Sequence, residues 1–202
     1  MQQQEIEAKF LAVDHDKVRG ALKKAGATLI APMRMMRRVV FDIPNMPPEL
    51  DAHMRVRDEG DRVTMTYKCY DEALSIDGTQ EIETTVGDFD TAIALLEAGG
   101  LKAKSFQESK RETWKLGHCE VVLDEWPWIK PYIEIEGPTA SDVQKVALEL
   151  GFAWSDSVTG PVTVAYRAEY DIPRKVEVGV NPRIAFDEPV PDWLQKVRRD
   201  HI

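Results

Sequence analysis

The sequence repeats a pattern in which two charged residues of like sign flank a single apolar residue. It occurs at Glu5-Ile6-Glu7, Arg55-Val56-Arg57, Glu81-Ile82-Glu83 and Glu134-Ile135-Glu136. Alternate residues of a β-strand point to the same face, so each pair would place two like charges side by side. Such charges repel one another unless water, opposite charges or metal ions compensate them. The pattern therefore predicts a sheet with one strongly charged face.

Two interpretations of this charged face are open from the pattern alone. Antiparallel sheets commonly have one solvated side, so the charges could simply form an outer surface. Alternatively, the strands could close into a barrel whose lining is acidic in one part and basic in another. Local basic groups at residues 34–38, 55–57 and 110–111 indicate a small anionic ligand held in a pocket, although each group could also balance surface charge.

Composition limits the class of protein. The 202 residues carry a formal net charge of -9, which argues against a protein that wraps nucleic acid. A hydrophobic fraction of 43% is sufficient for one domain with a core, and the apolar runs are too short to span a membrane. The N-terminus lacks a signal-peptide pattern, and Cys69 and Cys119 form neither a disulfide framework nor a zinc motif. We therefore expect a cytoplasmic protein.

Periodicity and turn residues predict about eight strands and several helices. Strands are expected at residues 3–13, 33–43, 52–58, 62–70, 79–86, 102–116, 119–125 and 132–136. Asp14, Asp88 and Thr139 are predicted helix N-caps, and shorter helices are expected at 161–170 and 193–199. Eight strands in roughly antiparallel order suit a closed barrel that is wide enough for one small ligand.

The charged residues form an ordered set along these strands. It comprises Glu5, Glu7, Lys9, Arg37, Arg55, Arg57, Lys68, Glu81, Glu83, Arg111, Asp124, Glu134 and Glu136. Over about residues 4–137 this set resembles the signature of the CYTH domain family, also called the triphosphate tunnel metalloenzymes. The family includes class IV adenylyl cyclases, thiamine triphosphatases and inorganic triphosphatases. The helix from residue 140 and Ala165-Tyr166-Arg167 resemble the C-terminal part of the domain in its bacterial cyclase-like branch.

The resemblance implies a fold and a set of site residues. The fold would be α+β, an eight-stranded antiparallel β-barrel (a triphosphate tunnel) with helices packed outside. A tunnel domain would span residues 1–173, followed by a C-terminal tail of unassigned role at 174–202. Phosphate-binding residues would be Lys9, Arg37, Arg55, Arg57, Lys68 and Arg111. Ligands for Mg²⁺ or Mn²⁺ would be Glu5, Glu7, Asp124, Glu134 and Glu136. The catalytic residues would be Lys9, Arg57 and Glu136.

The same resemblance implies a metal-dependent phosphohydrolase that acts on tripolyphosphate, thiamine triphosphate or a nucleoside triphosphate. The alternative is a class IV adenylyl cyclase that converts ATP to cyclic AMP and pyrophosphate. That branch usually carries a His-Phe pair before the first glutamates, where this chain has Met1-Gln2-Gln3-Gln4, so we favour hydrolysis. A third possibility, a binding module with little turnover, would have no need of the acidic residues.

The expected partner is a small-molecule triphosphate, with no nucleic acid and no membrane, and the protein could be a monomer or a homodimer. The four histidines, His15, His53, His118 and His201, share no spacing and are expected not to be catalytic. Trp126 and Trp128 flank Pro127, which should end a strand, and are expected to pack at one end of the barrel.

Overall fold

The computed structural model describes residues 6–45, 50–71, 79–173, 176 and 178–199. Its strands are β1 (Ile6–Phe10), β2 (Thr28–Asp42), β3 (Leu50–Asp58), β4 (Val63–Asp71), β5 (Thr79–Val86), β6 (Lys102–Leu116), β7 (Cys119–Glu125), β8 (Tyr132–Gly137) and β9 (Arg183–Ile184). Its α-helices are α1 (His15–Lys24), α2 (Phe89–Ala98), α3 (Ala140–Glu149), α4 (Thr163–Glu169) and α5 (Asp192–Gln195). Within this part of the chain, no helix has the length and apolar character needed to cross a bilayer.

A single sheet contains these strands. Its order is β1-β8-β7-β6-β2-β3-β4-β5, with β9 paired to β6. The neighbours β1 and β8, β8 and β7, β7 and β6, β2 and β3, β3 and β4, and β4 and β5 are antiparallel. Only the short strand β9 has a parallel pairing among these described ladders. The expected α+β fold with eight antiparallel strands and accompanying helices is therefore confirmed.

The chain forms two compact units. Unit 1 contains residues 35–109 and 179–185, and unit 2 contains residues 6–34, 110–178 and 186 onwards. The long strands β2 and β6 each contribute their two halves to different units.

The core of unit 2 lies on one face of its strands, beneath α1 and α3. It contains Ala8, Phe10, Val121, Leu123, Ile133 and Ile135 from the sheet, Val18 and Leu22 from α1, and Val143, Val146 and Ala147 from α3. Helix α1 begins where the Asp14 carboxylate accepts hydrogen bonds from the backbone N–H groups of Asp16 and Lys17, as the N-cap prediction requires. The apolar spacing of both helices thus supplies the side chains that cover this face.

The core of unit 1 lies beneath α2. Val39, Phe41 and Val56 from the sheet pack with Phe89 and Ala92 from this helix. The helix starts at its predicted N-cap, because the Asp88 carboxylate accepts a 2.7 Å hydrogen bond from the backbone N–H of Thr91. Each unit therefore has one helix-covered apolar face and one face that carries the charged alternate residues.

Some predicted boundaries were wrong. Strand β2 begins at Thr28 rather than at residue 33, and it contains Pro32, which cannot donate to a ladder. Its pairing with β3 starts only at Arg37, so Pro32 lies outside that ladder. The last helix ends at Gln195 rather than at residue 199.

Residues 178–199 form backbone hydrogen bonds with earlier parts of the chain. In unit 1, β9 pairs with Phe106 and Gln107 of β6. In unit 2, the backbone N–H of Asp171 donates to the carbonyl of Val197 over 2.7 Å. The backbone N–H of Arg199 donates to the carbonyl of Glu169 over 2.8 Å, whereas a helix reaching residue 199 would direct it to the carbonyl of Gln195. The predicted division of the chain at residue 173 stays a prediction.

Candidate functional site

One face of the unit 2 sheet carries charged side chains. Across β1 and β8, Glu7 is paired with Glu136, and Lys9 is paired with Glu134. The residues between them on each strand belong to the core beneath α1 and α3. Because side chains alternate along a strand, the charged residues lie on the face that is turned away from those helices.

Lys9 is buried at the centre of this face and is 2% exposed. Its Nζ lies 2.5 Å from Oε1 of Glu7 and 3.2 Å from Oε1 of Glu134. Burial alone would lower the pKa of Lys9, but the carboxylates of Glu134 and Glu7 outweigh burial and raise this pKa to about 12. Lys9 is therefore a buried, permanently charged ammonium group, and a solvated outer face is excluded at this position.

Arg111 on β6 forms the second cationic centre of unit 2. Its Nε and Nη2 donate to the two carboxylate oxygens of Asp124 over 2.8 and 2.5 Å, and Nη2 also donates to Glu134 over 3.1 Å. Burial opposes the charge of Arg111, but these carboxylates raise its pKa well above the ordinary value. Asp124 is 0% exposed, and burial raises the pKa of its carboxyl despite Arg111. The bidentate contact fixes the plane of the guanidinium group.

A row of carboxylates crosses three strands of the same face. Glu136 on β8 is paired with Glu7 on β1 and with Glu120 on β7. Like charges directly opposite one another repel, and carboxylate oxygens are the ligands that Mg²⁺ and Mn²⁺ prefer. The chemistry of this donor set therefore fits a divalent cation.

The predicted metal ligands differ in their surroundings. Glu7 and Glu134 contact Lys9, whereas Asp124 is bound on both oxygens by Arg111. Glu5 lies outside the described residues. In the described ranges, no three side chains of the types His, Cys, Asp and Glu are gathered closely enough to enclose a metal ion. The five residues therefore stay predicted ligands, although both carboxylate oxygens of Asp124 already accept hydrogen bonds from Arg111.

A second charged face lies in unit 1, opposite the face covered by α2. Its members pair directly across strands and therefore share one side of the sheet. They are Arg38 and Asp42 on β2, His53, Arg55 and Arg57 on β3, Thr64, Thr66 and Lys68 on β4, and Glu81 and Glu83 on β5. The face is thus basic along β3, with carboxylates on β5.

Arg55 is buried within this face. Its Nη2 donates to the Thr66 hydroxyl over 3.2 Å and lies 3.5 and 3.6 Å from carboxylate oxygens of Glu81 and Glu83. Its Nε is buried and has no hydrogen-bond partner in the part of the chain that the structure describes. Burial, followed by repulsion from Arg57 and Arg38, lowers the pKa of Arg55 to about 9. The described carboxylates therefore do not fully compensate this cation.

Arg57 and Lys68 complete the basic part of the face. Nη2 of Arg57 lies 2.5 Å from Oε1 of Glu59, while Nε of Arg57 is buried and meets no hydrogen-bond partner within the described ranges. Nζ of Lys68 lies 3.2 Å from Oε2 of Glu81. Two neighbouring guanidinium groups thus retain unused donors, and phosphate oxygens are suitable acceptors for them.

The structure separates Arg37, a predicted phosphate-binding residue, from the other cations. Arg37 points to the face covered by α2, where its Nε lies 3.0 Å from Asp58 and its guanidinium group stacks on Phe89. It is 47% exposed. Arg38, which was not among the predicted site residues, pairs directly with Arg57 and donates from Nε to Gln107 over 2.8 Å. Strand alternation therefore places Arg38, not Arg37, on the charged face.

His53 also lies on the charged face of unit 1, paired with Lys68 on β4 and Asp42 on β2. Burial is the largest influence on its pKa, followed by the cations Arg38, Arg55, Lys68 and Lys104, and together they lower it from 6.5 to about 4. His53 is therefore neutral near pH 7.

This depressed pKa predicts a pH dependence of stability. Between about pH 6.5 and pH 4 the unfolded chain binds a proton at His53 that the folded protein does not bind. The free energy of unfolding should therefore fall as the pH decreases through this window. His53→Gln should flatten that fall, measured by urea unfolding at several pH values. His118→Gln, at an exposed hairpin position, is the control and should leave the wild-type pH dependence intact; equal curves for all three proteins would contradict the assignment.

Aromatic residues at the end of β7 have structural contacts in unit 2. Trp126 packs with Tyr132 and Ala165, and Nε1 of Trp128 donates to the carbonyl of Glu188 over 2.9 Å. The hydroxyl of Tyr166 donates to the carbonyl of Pro127 over 2.8 Å. The expectation that the two tryptophans serve in packing is supported by these contacts.

Sequence reasoning missed Arg38, His53 and Glu59 on the basic face. The alternation of Arg55 and Arg57 with His53 along one strand was a usable signal, since residues two apart share a face. Predicting which face of the sheet carries Arg38 would have required the register between β2 and β3. Predicting the burial of Glu59 would have required the conformation of the turn.

The fold resembles several solved structures. The PH1012 protein from Pyrococcus horikoshii is 24% identical with a TM-score of 0.63, over 76% of this chain and 94% of that chain. A candidate adenylate cyclase from Vibrio parahaemolyticus is 14% identical with a TM-score of 0.68, over 83% and 99% of the two chains. A candidate adenylyl cyclase from Hippeastrum with a dominant triphosphatase activity is 12% identical with a TM-score of 0.53, over 83% and 96%. At these identities the likeness concerns the fold alone, and no curated protein sequence matches the chain.

A family match covers most of the sequence. The CYTH domain matches residues 3–153, a range that includes β1 to β8 and both charged faces. Members of this family are metal-dependent tunnel enzymes that act as triphosphatases or cyclases. The chain belongs to the CYTH domain family.

Proposed function

We propose that the protein is a metal-dependent phosphohydrolase that cleaves a triphosphate, with tripolyphosphate, thiamine triphosphate and nucleoside triphosphates as candidate substrates. The observation that carries this proposal is the pair of buried guanidinium groups in unit 1. Nε of Arg55 and Nε of Arg57 are buried without acceptors among the described residues, and the pKa of Arg55 is lowered. Buried donors without acceptors are costly, and the oxygens of a polyanion would satisfy both groups.

The carboxylates of unit 2 favour catalysis over simple anion binding. Anion binding alone has no need of a row of carboxylates such as Glu7, Glu136 and Glu120. Glu7, Glu134 and Glu136 would hold Mg²⁺ or Mn²⁺. When bound, such an ion neutralises charge on phosphate oxygens and helps to orient them.

The other side chains have roles that follow from their fixed charges. Arg55, Arg57, Lys68 and Arg38 would donate to phosphate oxygens. Lys9 would hold Glu7 and Glu134 in place and present a positive charge. Arg111 would bind phosphate in the orientation that is fixed by its two hydrogen bonds to Asp124. Phosphoryl transfer depends mainly on positioning and on electrostatic stabilisation of charge that develops in the transition state. A set of prearranged cations suits this requirement.

We prefer hydrolysis to cyclisation because hydrolysis requires fewer binding and positioning groups. A cyclase must recognise adenine and direct the ribose 3′-hydroxyl to the α-phosphorus, whereas a triphosphatase needs phosphate-binding groups and a water molecule. The Hippeastrum protein of similar fold has a dominant triphosphatase activity, so this fold accommodates hydrolysis.

Product analysis tests the proposed function. The purified protein would be incubated with Mg²⁺ or Mn²⁺ and either ATP or tripolyphosphate, and the products separated by ion-exchange chromatography. We expect orthophosphate, formed only with the metal. Cyclic AMP with pyrophosphate from ATP would establish the cyclase instead. Binding of tripolyphosphate without any product at saturating metal would establish a binding module.

A further inference from the structure

Glu59 is a buried carboxylate in the turn between β3 and β4. It is 2% exposed, although the next three residues of the turn are exposed. The turn is fixed by the backbone N–H of Glu59, which donates to the carbonyl of Arg62 over 2.9 Å, and by Gly60 at a φ of 92°. This positive φ favours glycine, so the loop shape that directs the Glu59 side chain inward is built into the sequence.

The Glu59 carboxylate contacts two arginines. Oε1 lies 2.5 Å from Nη2 of Arg57, and Oε2 accepts a 3.0 Å hydrogen bond from Nε of Arg62. Burial would raise the pKa of Glu59, but Arg57 and Arg62 together lower it. The carboxylate is therefore charged near neutral pH and holds one end of the Arg57 guanidinium group.

The negative charge of Glu59 should have two opposing effects on phosphate binding by Arg57. A negative charge close to a phosphate-binding arginine opposes anion binding by simple Coulomb repulsion. In compensation, an arginine that is already held loses less side-chain freedom when it binds a ligand. Nη2 of Arg57 is occupied by the ion pair with Glu59. The buried Nε of Arg57 has no hydrogen-bond partner among the residues that the structure describes.

We infer that Glu59 is a positioning residue, which fixes the guanidinium group of Arg57 so that its remaining donors bind a phosphate group. This inference rests on the proposed function, because it assigns Arg57 to phosphate binding. Asp58, the adjacent residue, holds Arg37 on the opposite face of the sheet, so the turn orients two arginines by two separate carboxylates.

Calorimetric binding of inorganic tripolyphosphate without divalent metal tests the inference, since no turnover occurs under these conditions. Glu59→Gln removes the charge but keeps the size of the side chain, and it should weaken binding by about tenfold or more. Glu59→Asp keeps the charge but shortens the reach to Arg57, and its affinity should lie between wild type and Glu59→Gln. Asp61→Asn removes a charge from an exposed position of the same loop and should not weaken binding.

A double-mutant cycle separates positioning from general charge effects. If Glu59 acts through Arg57, adding Glu59→Gln to Arg57→Gln should cause no further loss of affinity. An equal loss in both backgrounds would contradict the inference, as would unchanged or tighter binding by Glu59→Gln. Should circular dichroism show that Glu59→Gln is unfolded, Glu59→Asp decides, and wild-type affinity in that variant would overturn the inference. A wild-type protein that neither binds tripolyphosphate in this assay nor releases orthophosphate from it with Mg²⁺ would overturn the proposed function as well.

Discussion

Replacing Glu136 with glutamine is expected to reduce triphosphate turnover by at least about 100-fold while leaving the fold intact. Glu136 is paired with both Glu7 and Glu120, so it is the middle carboxylate of the acidic row on unit 2. Glutamine keeps the size of the side chain but removes a charged oxygen ligand for a divalent cation. The substitution also reduces repulsion with Glu7 and Glu120, which should limit any loss of stability.

Turnover of tripolyphosphate at saturating Mn²⁺ and the affinity for Mn²⁺ measured by calorimetry check this prediction. Glu149→Gln is the matched control, because Glu149 is an exposed residue of α3 in the same unit. The control should retain wild-type turnover. Wild-type turnover by Glu136→Gln at saturating metal would contradict its assignment as a metal ligand.

Replacing Arg55 with glutamine is expected to weaken triphosphate binding and, at the same time, to stabilise the free protein. Hydrogen bonds to charged groups contribute about 1.5–3 kcal/mol, which corresponds to about 10- to 150-fold in affinity. The gain in stability follows from the pKa of Arg55, which burial, Arg57 and Arg38 lower to about 9. A group whose charged form is disfavoured by folding reduces the stability of the folded state below its folded pKa, and hence at pH 7.

Two measurements test this prediction. Calorimetry with tripolyphosphate should give the loss of affinity, and thermal unfolding without ligand should give a higher melting temperature than wild type. Lys102→Gln removes one positive charge at an exposed position of unit 1 and should change neither quantity appreciably. A lower melting temperature together with wild-type affinity would show that Arg55 is a structural cation.

Strand alternation was sufficient to predict much of the charged site. Glu7 and Lys9 were expected on one face of their strand, and Glu134 and Glu136 on one face of theirs, because residues two apart in a strand point the same way. The structure pairs these two strands and brings Lys9 within 3.2 Å of Glu134. Both belong to strands with a regular alternation of charged and apolar residues, and the apolar residues between them form the core beneath α1 and α3. A buried apolar face fixes the register, since a shift by one residue would expose the entire core set.

Strand alternation alone could not predict which of Arg37 and Arg38 lies on the charged face. Two consecutive arginines fit either phase of a strand, and only the register with β3 shows that Arg38 is opposite Arg57. The burial of Glu59 could not be predicted for a different reason. It belongs to a turn, where polar residues are usually solvated, and its burial depends on the contacts with Arg57 and Arg62.

The most direct test of the proposed triphosphate site is a crystal structure of the protein with Mn²⁺ and a non-hydrolysable tripolyphosphate analogue, with anomalous scattering used to locate the metal. We predict phosphate oxygens within hydrogen-bonding distance of the buried Nε atoms of Arg55 and Arg57, and a manganese peak beside Glu7 and Glu136. An analogue bound away from both arginines, or manganese bound away from both glutamates, would contradict this prediction.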